Sequence, residues 1–165
     1  MSEVPSFIVQ QEALDEIGRS LAALLSDGDE CVLFVSRWMG PFSEADFWSV
    51  RPDGRFASPL GPANDIHETG PSFDHSEALL RRACYQEGKG TWFGLEVKVT
   101  PDGAVTAKYN YDTEPNWELP IEPTLYVQEQ EKYPRDPEHQ PEWFKRRLAE
   151  GQAALDEWRR SNGRA

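Results

Sequence analysis

The sequence predicts an α+β fold, a small antiparallel sheet with N-terminal, middle and C-terminal helices packed on it. Near the N-terminus, Leu14, Ile17, Leu21, Leu24 and Leu25 recur at three- and four-residue steps, the spacing of one helical stripe. Further on, Phe93, Leu95, Val97 and Val99 alternate with Gly94, Glu96, Lys98 and Thr100. After the turn Pro101-Asp102-Gly103, Val105, Ala107, Tyr109 and Tyr111 alternate in the same way, which predicts a β-hairpin with one buried face. Phe144, Leu148, Gly151, Leu155 and Trp158 then mark a last amphipathic helix. Long helices combined with antiparallel pairing of sequential strands are the signature of an α+β layer.

Taken in order, the first helix is expected over about 10–25, with Phe7, Ile8 and Val9 as its start or a short lead-in. Ser26-Asp27-Gly28-Asp29 ends it, Gly28 suiting the left-handed position past a helix C-terminus. Cys31–Val35 is short, β-branched and aromatic, and reads as a buried strand. Gly40-Pro41 breaks the chain, and Ala45–Val50 is expected as a second strand. The turn Arg51-Pro52-Asp53-Gly54 leads to a short third strand over Arg55–Ala57. Residues 58–72 hold Pro59, Pro62, Pro71, Gly61 and Gly70 and read as a loop. Ser72 or Asp74 is the expected cap of a middle helix whose apolar side is Leu79, Leu80, Ala83 and Tyr85, closed by Gly88 and Gly90. Beyond the hairpin, Thr124–Val127 is expected as a short strand within an otherwise extended segment. Pro141 suits the first position of the last helix. No internal repeat is visible.

The 165 residues fit one domain spanning 1–165, with an acidic, proline-rich segment at about 112–140. Charge is uneven: 29 acids against 17 bases give a net of −12. Nucleic-acid binding needs an excess of Lys and Arg to meet phosphates, so that class is excluded, as is adsorption to anionic lipid. An acidic surface instead steers cationic proteins into encounter. The start, Met1-Ser2-Glu3-Val4-Pro5, lacks the basic and apolar regions of a signal peptide, and the longest apolar runs are too short to cross a membrane. A cytoplasmic location is therefore expected, with Cys31 and Cys84 as reduced, buried thiols.

Catalytic chemistry finds no constellation. His67, His75 and His139 are scattered, with no second His or Cys at ligand spacing, so neither a metal nor another cofactor is expected. No glycine-flanked nucleophile is present, and Cys84 sits within an amphipathic helix pattern. Gly88-Lys89-Gly90-Thr91 leads into a strand, whereas a phosphate loop leads into a helix. Carboxylates are so numerous that the proximity of any two, such as Asp112 and Glu114, carries little information on acid–base work. The chain is expected to bind and not to catalyse.

The most informative stretch runs from 112 to 143. Nine acids (Asp112, Glu114, Glu118, Glu122, Glu129, Glu131, Asp136, Glu138 and Glu142) stand against Lys132 and Arg135, interleaved with Trp117, Tyr126, Tyr133 and Trp143. Aromatic side chains anchor interface centres, and carboxylates around them select a cationic partner. Asp112, Glu114, Trp117, Glu129, Glu131 and Tyr133 are the expected partner contacts. Trp48 and Trp92 are expected to face outward, where either could instead cover the hairpin.

Gly90-Thr91-Trp92-Phe93-Gly94-Leu95-Glu96-Val97, the turn at Asp102-Gly103, and Lys108-Tyr109-Asn110-Tyr111-Asp112 resemble the YezG-like immunity proteins of bacterial polymorphic toxin systems. The turn lacks the residue that the family places between Asp and Gly. Tyr133-Pro134-Arg135-Asp136-Pro137-Glu138-His139 followed by Glu142-Trp143-Phe144 is similar to a tail pattern of that family's actinobacterial members. The resemblance is specific over about 90–143 and extends to the first 60 residues only in element order. It implies an antitoxin that binds and neutralises a cognate, co-encoded toxin domain, a basic nuclease or an NAD-degrading toxin, by blocking its active site. It also marks Trp92, Tyr109, Tyr111 and Asp112 as family-pattern positions, Trp92 among the expected partner contacts. The alternative is a non-catalytic regulatory or secretion-adaptor module that binds protein.

Overall fold

The computed structural model describes residues 3–57 and 70–163. It is an α+β fold: helix α1 (Ser6–Ala22), strands β1 (Cys31–Met39), β2 (Phe42–Val50) and β3 (Phe56–Ala57), helix α2 (Gly70–Ala83), strands β4 (Gly94–Val99) and β5 (Val105–Asn110), and helices α3 (Thr124–Lys132) and α4 (Glu142–Ser161). A 3-10 turn, Pro137–His139, lies between α3 and α4. The strands pair antiparallel in the order β3-β2-β1-β4-β5, with Ser49 opposite Ala57 and Val50 opposite Phe56 in the β2–β3 pair. Helices thus lie N-terminal, between and C-terminal to the strands, as the apolar periods predicted.

The chain divides into two compact units, Met1–Ser36 with Ala45–Cys84 and Leu95–Tyr109, and Arg37–Glu44 with Tyr85–Gly94 and Asn110–Ala165. In the first, α1 turns Ala13, Ile17, Gly18 and Leu21 inward. Val32, Phe34, Leu80, Leu95, Val97 and Val99 complete a core in which each large side chain contributes about 1.5–3 kcal/mol by leaving water. Gly18 lets α1 approach β5 closely: a Cβ there would lie 2.7 Å from Val105 Cγ2. Helices α1 and α2 pack on each other, and Gln10 Nε2 donates to the Ala83 carbonyl at 2.9 Å. After α1, the buried Asp29 carboxylate accepts from the Ser26 N–H at 2.9 Å and pairs with Arg51 at 2.5 Å. That bond ties the α1–β1 turn to the end of β2. Cys31 and Cys84 are buried free thiols.

The second unit is built on Met39, Phe93, Tyr126 and Phe144, with Trp117, Ile121, Leu125, Trp143 and Leu148 packed around them. Phe93 anchors it by meeting the rings of Trp143 at 5.0 Å and Phe144 at 5.4 Å. Helices α3 and α4 pack against each other at Gly151, where a Cβ would overlap the Pro123 carbonyl and stand 2.9 Å from Val127 Cγ2.

Several local expectations are corrected. Strand β1 runs on to Met39 and β2 starts at Phe42, because Gly40, at φ +57°, makes a tight turn of Gly40-Pro41 and so extends both strands. Helix α1 starts at Ser6 and so includes Phe7, Ile8 and Val9, and it ends at Ala22, short of Leu25. Helix α2 begins at Gly70, ahead of Ser72 and Asp74, so neither is its cap. The loop expected over 58–72 lies outside the described residues as far as 69, and His67 with it. Thr124–Val127 is the first turn of α3 and not a strand: Leu125, Tyr126, Glu129 and Tyr133 follow a helical step that β-prone residues masked. Pro141 sits just before α4 and not within it. The hairpin's buried face is complete on β4, whereas on β5 Val105 and Tyr109 are each 37% exposed, because β5 ends the sheet.

Candidate partner interface

Seven residues were expected to meet a partner, and the structure separates them. Trp92 is fully buried. Alternation could not place it, because Thr91, Trp92 and Phe93 precede β4 and all three are buried. Glu129 is 1% exposed, and its Oε2 accepts the Gly40 N–H at 2.8 Å, so it serves as an internal clamp between α3 and the β1–β2 turn. Tyr133 is buried too, its ring 5.5 Å from that of Tyr85. These three are held by the fold and present no surface to a partner.

Trp117 is half-buried, its ring 5.7 Å from Phe42 and packed on the core cluster of the second unit. Glu114 accepts from Arg147 Nε at 2.7 Å, and Glu150 accepts from the same guanidinium at 3.1 Å. Both hydrogen bonds favour the charged guanidinium and push its pKa upward. Arg147 also stands 6.0 Å from the ring of Tyr126, whose phenol is pushed up chiefly by burial. Glu114, Trp117, Tyr126, Arg147 and Glu150 line a cleft of about 420 Å³. Asp112 and Glu131 are exposed, and the Asp112 carbonyl accepts the Trp143 indole N–H at 2.7 Å.

A second cleft, of about 460 Å³, opens beside Asp112 and is lined by Lys89, Tyr111, Arg135, Glu138 and His139. Its floor depends on Gly90, at φ +76°, where a Cβ would run into the Arg135 side chain. Arg135 is 4% exposed, donates to the Thr91 carbonyl at 2.6 Å and the His139 carbonyl at 3.2 Å, and lies 4.2 Å from the Phe93 ring. Gln130 and Gln140 both donate to its carbonyl at 3.0 Å, fixing the chain between α3 and the 3-10 turn. Arg135 and Arg147 organise these two clefts, and neither stood out in the sequence beyond the tail pattern containing Arg135. Spacing from Glu114 does not reveal Arg147, since the pair forms only once α4 is docked.

What the arrangement leaves outward is acid. Asp112, Glu118, Glu122, Glu131, Asp136, Glu138 and Glu142 are exposed, while over the same stretch Lys132 is the exposed Lys or Arg. Among the described residues no three His, Cys, Asp or Glu side chains converge as a metal set, and no helix is long and apolar enough to cross a membrane. The chain matches no protein-family model and no curated protein.

Proposed function

We propose that this protein is an antitoxin of the YezG-like immunity type. It acts in the cytoplasm by binding a basic toxin domain and blocking the toxin's active site. The observation that carries the reading is the sorting of the 112–143 stretch. Its aromatic side chains Tyr126, Tyr133 and Trp143 go to the fold, and seven carboxylates stay on the surface beside a single exposed Lys. Packing explains the aromatics and leaves the carboxylates unexplained. An excess of exposed carboxylates on a chain of net charge −12 accelerates encounter with a cation-rich partner and disfavours acidic ones. The expected contacts are accordingly Asp112, Glu118, Glu122, Glu131 and Glu138, with Trp117 at the edge of the cleft beside Glu114.

The test is co-expression with the toxin domain encoded beside this chain, scoring growth and co-purification. Rescue of growth together with a stable complex supports the antitoxin. A neighbour that is harmless, or that leaves this protein unbound, removes the reading and turns attention to a regulatory or secretion-adaptor role.

A further inference from the structure

The first unit carries an apolar surface that the acidic stretch does not account for. Phe7 is 68% exposed and Val4 57%, on and just before the first turn of α1. Phe7, Ile8, Gln11 and Leu14 face Tyr109 of β5 across a groove of about 470 Å³. Burial pushes the Tyr109 phenol up to about 12, with the nearby Cys84 thiol adding to it, so the wall is a neutral ring across the physiological range.

The groove runs beside the end of the sheet, where β5 is the last strand in the order. The Thr100 N–H donates to the Ala104 carbonyl at 3.1 Å and the Phe93 N–H to the Asn110 carbonyl at 2.7 Å. Even-numbered positions of β5 therefore turn their backbone groups toward β4. By the alternation of an antiparallel ladder, those of Val105 and Ala107 point the other way, past the end of the sheet. Such an edge is a template for an added strand.

Charge selects the occupant. The exposed side of α1 bears Glu12, Asp15 and Glu16 against Arg19, and Arg19 is already paired with Glu16 at 2.9 Å. Asp102 stands at the hairpin turn. A second copy of this chain would bring the same −12 and meet repulsion. We infer that the β5 edge and the α1 groove receive an extended basic segment of a partner protein, which adds a strand to β5. Alternate apolar side chains of the segment enter the groove between Phe7 and Tyr109, and its Lys or Arg residues reach Glu12 and Asp15.

The probe is a synthetic peptide, so its outcome stands apart from the co-expression result: acetyl-Lys-Val-Lys-Phe-Lys-Val-Lys-amide, with a version bearing Glu in place of Lys as control. Backbone amide NMR on the full chain is expected to show shifts at 104–109 and in the first turns of α1 with the basic peptide alone. Phe7→Glu changes an exposed side chain, and Ala107→Pro removes one outward N–H while leaving the β4 ladder intact. Each is expected to weaken binding at least about tenfold, the loss typical of one interface anchor. The inference is overturned by absent binding, by equal binding of the acidic peptide, or by affinity that both variants leave unchanged. Concentration-dependent dimers abolished by Phe7→Glu would overturn it as well, by assigning the groove to a second copy.

Discussion

Reversing the charge of Glu129 separates a residue that holds the fold from one that meets a partner. Its carboxylate is buried and accepts the buried Gly40 N–H at 2.8 Å. A hydrogen bond to a charged group contributes about 1.5–3 kcal/mol, and breaking a buried charged pair costs about 3–5 kcal/mol when a charge is left without its partner. Glu129→Lys removes the bond to Gly40 and leaves a buried ammonium facing a backbone N–H, so a loss of about 3–5 kcal/mol is expected. At about 2–4 °C per kcal/mol for a chain of this size, the melting temperature falls by roughly 6–20 °C. Glu129→Gln keeps an acceptor and is expected to lose only about 1 kcal/mol. Glu131→Lys, two residues on and exposed, makes the same change of charge but should alter stability by less than about 0.5 kcal/mol. Urea unfolding followed by tryptophan fluorescence measures all three. If Glu129→Lys unfolds at the same midpoint as Glu131→Lys, the clamp between α3 and the β1–β2 turn does not exist as described.

Gly151→Ala drives a methyl group into the Pro123 carbonyl and Val127, and is expected to destabilise by about 1–3 kcal/mol in the same urea assay, with β5 and α1 unaffected by NMR. Tyr109 titrates near 12 in the folded chain and near 10 when unfolded, so its contribution is complete below pH 10 and lost as pH rises toward 12. Ultraviolet titration should show a late phenol beside that of Tyr126, which burial also pushes up, and Tyr109→Phe should remove it; the variant's stability should fall less between pH 10 and 12. Cys31 and Cys84 are buried, and burial pushes the Cys31 thiol up, so both should resist a thiol reagent until urea exposes them.

The fold was legible where one face of an element is buried along its whole length. Ile17 and Leu21 in α1, and Leu95, Val97 and Val99 in β4, follow their periods because the core alone decides their direction. Legibility failed where a residue's surroundings come from distant chain. Trp92 looked outward by alternation from Phe93, yet regular strand starts only at Gly94, so the rule had no purchase. Thr124, Tyr126 and Val127 are β-prone, and a buried Glu129 disguised the helical stripe of this segment. For the candidate interface, composition located the acidic stretch but could not tell clamp from surface. Glu129 and Glu131 differ only in what Gly40, 89 residues earlier in the chain, presents to one of them.

The most direct measurement is the association rate with the toxin domain proposed as partner as salt is raised, for wild type and for Glu118→Lys/Glu122→Lys/Glu131→Lys. These three side chains are exposed, so the variant should fold as wild type does. An acidic docking surface requires wild-type association to slow steeply with salt, and the variant to associate at least about tenfold more slowly at low salt. A stable complex whose formation ignores both salt and the triple reversal would contradict the acidic stretch as the binding surface, and absence of any complex would contradict the antitoxin itself.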